Sequence, residues 1–314
     1  MTSSALRIAI IDIGSNSIKL LVADFSNGNL LETVHFEADN IRIGGFLGMG
    51  SRTMTEKAMR AGVASVEKLL QQAKTYHPQK TAIVATSAVR EAENRAIFCK
   101  QITEITGHAV NLLSGQQEAE AIALGAGCDP DLKNLKEFYM FDLGGGSLEL
   151  IHWTPKITEL VSLPLGAVRL YKKYQQSDPG PLNLEHRQAI EEAVDQHWDQ
   201  VPWLNTISSA PWIGTGGALN LIRSLLAERQ GLSFDAFSAR LSYTQLADFL
   251  AEIAVLSIVE RMRYIHIPAS RADILPAGLT AILQLLNRAK APELIHSMYN
   301  LRYGYAAKVA AASK

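Results

Sequence analysis

At 314 residues the chain is long enough for two domains with well-buried cores. Its 47% apolar and 19% charged residues are ordinary for a globular protein, and 30 Lys+Arg against 31 Asp+Glu leave a formal net charge of −1. That balance excludes a surface built throughout for nucleic acid, while leaving room for a local basic groove.

No apolar run reaches the length of a membrane span, and no basic-then-apolar leader opens the chain. Cys99 and Cys128 lack metal-type spacing and read as ordinary buried thiols. A cytoplasmic enzyme with no membrane or nucleic-acid partner is the expectation.

In chain order, residues 6–13 and 17–25 read as a strand pair joined by Asp-Ile-Gly-Ser-Asn-Ser (residues 12–17), with a third strand at 30–37. Residues 44–50, Gly-Gly-Phe-Leu-Gly-Met-Gly, are not followed by Lys-Ser/Thr, so they are not a Walker A motif and read as a mobile connection. Thr53 or Thr55 caps a helix to about residue 76, with Met59, Val63, Val66, Leu69, Leu70 and Ala73 on one face and Pro78 as its stop. A short buried strand at 81–85 ends in Thr-Ser-Ala-Val-Arg (86–90). A helix at 94–106 and a strand at 109–113 come next, and then Ser-Gly-Gln-Gln-Glu-Ala-Glu (114–120) leads into another helix.

Asp129, Pro130 and Asp131 combine turn residues with charge and read as the hinge between a first domain, 1–128, and a second, 129–314. The second half restarts with an apolar strand at 138, runs through Asp-Leu-Gly-Gly-Gly-Ser-Leu-Glu (142–149), and has a third strand near 157–163. Helices are expected from 164–169 onward and over 184–201. Residues 212–218 form a short strand entering Gly-Thr-Gly-Gly (214–217), with a helix at 219–227. The remainder is mostly helical, broken by Pro268 and Pro276. A last strand at 294–298 precedes a closing helix, 300–314, free to pack back on the first domain. Strands followed by crossover helices predict a mixed α/β sheet in each half.

The two glycine turns are copies. Aligning Asp12 with Asp142, an offset of 142 − 12 = 130 residues, places Gly14 on Gly144 and Ser17 on Ser147 between apolar strands. A triple glycine alone is as well explained by a plain hairpin; a second copy in register points to a duplicated fold. Two such hairpins facing each other across a cleft would grip a phosphate chain from both sides.

Three turns compete for phosphate, each where a strand ends: Gly14, Ser15, Asn16 and Ser17; Gly144, Gly145, Gly146 and Ser147; and Gly214, Thr215 and Gly216. Arg90 also follows a strand and offers a forked donor, against the competing reading of a surface pair with Glu91 or Glu93. Lys19, between Ile18 and Leu20, reads as the solvated side of its strand. Glu118 is either a carboxylate favoured near a helix N-terminus or a general base. Hydrolysis of a phosphoanhydride also needs a cation, for which Asp12, Asp142 and Glu149 are the candidates. Neither His-Glu-x-x-His nor Gly-x-Ser-x-Gly occurs.

At these residues the sequence resembles the exopolyphosphatase/guanosine pentaphosphate phosphatase (Ppx/GppA) family in its short, two-domain form. The likeness runs through both glycine hairpins, residues 86–90 with Glu93 and Asn94, and Ser114 and Gly115 with Glu118 and Ala119. It continues through 162–166 with Arg169, 214–217, and the Arg-Ala-Asp-Ile-Leu-Pro-Ala-Gly stretch at 271–278.

The resemblance implies an α/β protein of two similar domains of the sugar kinase–actin–heat-shock ATPase (ribonuclease H-like) fold, with the active site in the interdomain cleft. It implies that Glu118 activates the attacking water and that Asp142 and Glu149 bind Mg²⁺ or help place that water. Ser15, Asn16, Ser17, Arg90 and residues 144–147 would hold terminal phosphates. Mn²⁺ would be a substitute cofactor and K⁺ an activator. The implied partners are inorganic polyphosphate, guanosine pentaphosphate or tetraphosphate, and a second copy in a homodimer.

Two departures stand out: Gln117 where the family often has an acid, and an end soon after the second domain, which argues against high processivity on very long chains. The competing classes are a nucleotide-dependent kinase or ATPase, with residues 214–217 on an adenosine, and a regulator that binds guanosine tetraphosphate or pentaphosphate.

Overall fold

Continuous apolar runs make central strands, and the two such runs each seed one sheet. The computed structural model describes residues 5–313 apart from 49, 51, 155 and 176–179. It divides into a first unit, Met1–Asn134 with Tyr299–Lys314, and a second, Leu135–Met298.

In the first unit, β1 (Leu6–Ile13), β2 (Ile18–Ser26), β3 (Asn29–Asp39), β4 (Lys80–Ala85) and β5 (Val110–Leu112) form a sheet in the order β3-β2-β1-β4-β5. The β1–β2 and β2–β3 pairings are antiparallel, and β4 and β5 join in parallel. Its helices are α1 (Glu56–Lys74), α2 (Ser87–Glu91), α3 (Arg95–Thr106) and α4 (Gly115–Ala126). Strand side chains alternate faces. Ala9, Ile11 and Ile13 accordingly join Val63, Val66, Leu69, Phe98 and Ile102 of α1 and α3 in one core.

In the second unit the strands are β6 (Phe138–Leu143), β7 (Leu148–Trp153), β8 (Ile157–Leu163), β9 (Trp212–Thr215), β10 (Arg240–Ser242) and β11 (Glu293–His296), ordered β10-β11-β9-β6-β7-β8. Its helices are α5 (Ala167–Tyr174), α6 (Leu184–Asp199), α7 (Gly217–Arg229), α8 (Tyr243–Ala254), α9 (Ile258–Tyr264), α10 (Ala269–Ala272) and α11 (Leu275–Arg288). Here β6–β7 and β7–β8 are antiparallel, while β9 joins β6 and β11 joins β9 in parallel. Read from β8 to β11, this is the first unit's sheet again, with β10 added at the edge. Each half is thus the mixed α/β unit expected from the duplicated hairpin.

The last helix, α12 (Leu301–Ala311), belongs to the first unit, where it packs on α4, β1 and β2. Two glycines permit that approach. A Cβ on Gly304 would lie 1.8 Å from the Ala121 carbonyl oxygen, and one on Gly125 would lie 2.2 Å from that of Asn300.

The structure departs from the sequence reading in local ways. Asp129 does not sit at a boundary: it caps a short 3₁₀ turn, Pro130–Leu132, inside the first unit. Pro276 lies in the first turn of α11 and starts that helix rather than breaking it. Strand β10 and helix α2 are additions, each too short to leave a periodic signal. The glycine-rich segment is anchored over its described residues 44–48, where Phe46 and Leu47, with Ile43 just before them, are buried in the first unit's core, and residue 49 lies outside the described residues. Both cysteines are half-buried, and burial pushes the Cys128 thiol up to about 11. Among the described residues no helix is long and apolar enough to cross a membrane.

Candidate functional site

The two glycine hairpins have one geometry. Ile13 pairs with Ile18 and Leu143 with Leu148, so each turn has the same length. Each is closed by the same bond: the Gly14 N–H donates to the Ser17 carbonyl at 3.1 Å and the Gly144 N–H to the Ser147 carbonyl at 3.0 Å.

In the second unit the carbonyls of this turn are taken by α5. Gly144 accepts from the Ala167 N–H at 3.0 Å, Gly145 from Val168 at 2.8 Å and Arg169 at 3.2 Å, and Gly146 from Arg169 Nε at 2.8 Å. In a trans peptide the C=O of one residue and the N–H of the next point opposite ways, and no cis peptide occurs among the described residues. The N–H groups of Gly145, Gly146 and Ser147 therefore point away from α5. Successive N–H groups on one side of a turn make a cradle for an anion. Gly166 allows the close stacking, since a Cβ there would sit 2.4 Å from backbone atoms of Gly145 and Gly146.

Asp142 and Glu149 lie directly opposite each other across β6 and β7, so their side chains share a face beside this turn. Glu149 is 1% exposed, and its Oε1 accepts from Ser162 Oγ at 2.7 Å. The third turn joins them. Gly216, at φ +111°, lies so close that a Cβ would meet the Leu143 carbonyl oxygen at 2.6 Å and Asp142 Oδ1 at 2.9 Å. Thr215 is fully buried and its hydroxyl donates to the Phe141 carbonyl, so its side chain serves the fold and only backbone at this position can face a ligand. Beside the same turn, the Arg271 guanidinium covers Gly217, with Nη2 2.2 Å from where a Cβ would stand.

Two carboxylates on one hairpin are hard oxygen donors that suit Mg²⁺, an ion held through one or two carboxylates with substrate phosphates completing its shell. Among the described residues no group of three His, Cys, Asp or Glu side chains is arranged to hold a metal.

The first unit carries the opposite charge pattern at the corresponding place. Asp12 faces Lys19 across β1 and β2, and its Oδ2 accepts from Arg302 Nη1 of α12 at 3.0 Å, with both side chains nearly buried. A cation already occupies the position in which Asp12 was expected to bind metal. Around residues 14–17, Arg42 Nε donates to Asn16 Oδ1 at 2.9 Å, the Gly44 N–H to the Ser15 carbonyl at 2.9 Å, and the Ser15 and Ser87 hydroxyls are 3.2 Å apart. The glycine-rich segment thus packs directly on the first turn.

Helix α4 starts with a capping box. Ser114 Oγ accepts from the Gln117 N–H, and Gln117 Oε1 accepts from the Ser114 N–H at 2.9 Å. Gln117 therefore serves the helix end. Glu118, one residue on, is 6% exposed, and its Oε2 accepts from Arg90 Nη1 at 2.9 Å. Arg90 thus pairs with neither Glu91 nor Glu93. Arg42, Arg271 and Arg302 are the residues that sequence reasoning did not single out for the site. Each is isolated in sequence from the turn it touches, and only the position of Arg271 at the head of a family-like stretch could have flagged one of them.

Comparison with known proteins gives the family and the fold. The sequence profile described as the Ppx/GppA phosphatase family matches residues 21–311. A protein named Exopolyphosphatase 2 from Mycobacterium tuberculosis (strain CDC 1551 / Oshkosh) is 28% identical over 97% of this chain and 98% of its own. Among solved structures, an exopolyphosphatase from Cytophaga hutchinsonii superposes with a TM-score of 0.86 at 22% identity, over 98% of this chain and 99% of that one. A Ppx/GppA family member from Aquifex aeolicus gives 0.79 at 22% identity, over 99% and 100%. Both show the shared fold.

Proposed function

This chain belongs to the Ppx/GppA phosphatase family, and from that premise we propose that it is a Mg²⁺-dependent exopolyphosphatase, releasing terminal phosphate from inorganic polyphosphate by hydrolysis. The observation that carries the proposal is the row of N–H groups at Gly145, Gly146 and Ser147, turned away from α5 beside the Asp142–Glu149 pair. Such a turn holds phosphate oxygens without side-chain charge, and the name of the Mycobacterium relative supports a polyphosphate substrate.

Each residue then has a defined task. The amides of residues 145–147, with Gly14, Ser15, Asn16 and Ser17 of the first turn, bind phosphate oxygens. Asp142 and Glu149 hold the cation, Ser162 fixing the Glu149 carboxylate. Bound Mg²⁺ would offset charge building on the phosphoryl oxygens. Glu118 orients the attacking water and takes its proton as the bond to phosphorus forms. Departure of the shortened chain needs no covalent protein intermediate.

The test is phosphate release with Mg²⁺ from long-chain polyphosphate and from guanosine pentaphosphate, side by side, with ATP as control. Fast release from polyphosphate is expected. Release from guanosine pentaphosphate alone would keep the residues and change the substrate. Turnover of ATP alone would return the chain to the kinase and ATPase class.

A further inference from the structure

The family resemblance gives Arg90 a phosphate-binding role, and its contacts point to a second one that rests on the hydrolase proposed above. Its Nη1 donates to two acceptors at once, the Leu113 carbonyl at 2.8 Å and Glu118 Oε2 at 2.9 Å. Those acceptors lie on either side of the Ser114 cap, at the end of β5 and in the first turns of α4. Arg90 lies in the last turn of the short helix α2, which follows β4. One nitrogen is thus pinned by a carbonyl that the fold fixes, and it presents its second hydrogen to the carboxylate. The Arg90 side chain is 24% exposed where that of Glu118 is 8% exposed, so the guanidinium reaches out towards solvent from the buried acid.

We propose that Arg90 is a positioning residue for Glu118: the guanidinium holds the carboxylate in the orientation needed to take a proton from water, while its outer edge receives substrate phosphate. Phosphate binding and base alignment are then coupled through one planar group. A lysine could hold one partner as a point charge but could not serve both with a fixed fork.

The roles separate by kinetics. A residue that only binds phosphate raises KM and leaves kcat intact. A residue that aligns the base lowers kcat at saturating substrate, and its effect disappears once the base is gone. The experiment measures kcat and KM for polyphosphate in the wild type, Arg90→Ala, Arg90→Lys, Glu118→Gln and the double variant Arg90→Ala/Glu118→Gln, with thermal melting to show that each is folded.

The expected result is a loss in kcat of about 10- to 10²-fold for both Arg90 variants, the scale of a misplacement of roughly 1 Å. In the Glu118→Gln background, Arg90→Ala should change kcat less than about twofold. An unchanged kcat with raised KM, or a loss that multiplies fully with that of Glu118→Gln, would overturn the positioning role while leaving the hydrolase intact. Wild-type protein that releases no phosphate from any phosphoanhydride would instead overturn the hydrolase, and the positioning role with it.

Discussion

Substituting alanine at Gly166 should damage the proposed phosphate cradle without touching any residue that would contact substrate. A Cβ at that position would stand 2.4 Å from the carbonyl carbons of Gly145 and Gly146 and from the Gly146 nitrogen. Ordinary contact needs about 3.4 Å or slightly more, so one backbone must retreat by roughly 1 Å. All the obstructing atoms are main chain, and no rotamer change can relieve them. Three hydrogen bonds from the first turn of α5 hold the two segments together, so the displacement is transmitted to the N–H groups of Gly145, Gly146 and Ser147.

A shift of that size costs about 10²-fold in turnover when it falls on substrate-positioning groups, and overpacking of this kind destabilises by about 1–3 kcal/mol. The two effects can be measured apart. Initial rates of phosphate release give the first. Urea unfolding followed by tryptophan fluorescence gives the second for the second unit alone, because all 4 tryptophans, Trp153, Trp198, Trp203 and Trp212, lie there. Gly45→Ala is the control, since a Cβ there meets nothing within 4 Å. Wild-type kcat in Gly166→Ala, with its stability reduced as expected, would refute the assignment of this turn to phosphate.

Glu118→Gln should lower kcat by about 10²- to 10⁴-fold with little change in KM, and wild-type turnover would remove Glu118 from the mechanism. His296 is buried at 3% exposure, and burial, with the Arg223 charge adding to it, lowers its imidazole to about 3. The unfolded chain takes up that proton near pH 6.5 and the native one does not, so stability falls with pH between about 6.5 and 3, by about 1.4 kcal/mol per unit. Unfolding free energies from urea titrations at pH 6.5 and 5 should differ by about 1.6 kcal/mol more in the wild type than in His296→Gln, and equal differences would show that His296 is not the group responsible. Gly304→Ala would force α12 off α4, at a cost of about 3 kcal/mol, read as a lower melting temperature. A melting temperature unchanged from wild type would mean that the helices can part freely.

What could be read in advance was what repeats or alternates. Strands β1, β2, β6 and β7 announce themselves as apolar runs flanking Asp-x-Gly turns, and the 142 − 12 = 130-residue offset carries over into strand order and pairing register. The glycines were legible as turn formers but not as contact points, because the demand on Gly166, Gly216 and Gly304 is set by whichever backbone the fold lays against them. The site's ion pairs were hidden for the same reason. Arg90 and Glu118 are 28 residues apart, Arg302 and Asp12 are 290 apart, and neither pairing can be deduced from local spacing.

One chemical difference was nevertheless written in the repeat. Carrying the offset one strand further, 19 + 130 = 149, sets Lys19 against Glu149. The two positions occupy the same place in register, opposite Asp12 and Asp142 respectively. In the first unit the acid at the end of the central strand faces Lys19 across the hairpin and is bound by Arg302. In the second it faces another acid, Glu149, and a cation held between them would favour both carboxylates in their charged form. The two frames are equivalent in register and differ in sign at one cross-strand position, and on the proposed reading that exchange separates a turn for anions alone from one for a metal-bound phosphate. Exchanging that sign tests the division: Glu149→Lys should abolish the dependence of polyphosphate binding on Mg²⁺, as read by calorimetry with and without the ion. Retention of that dependence would move the cation away from Glu149.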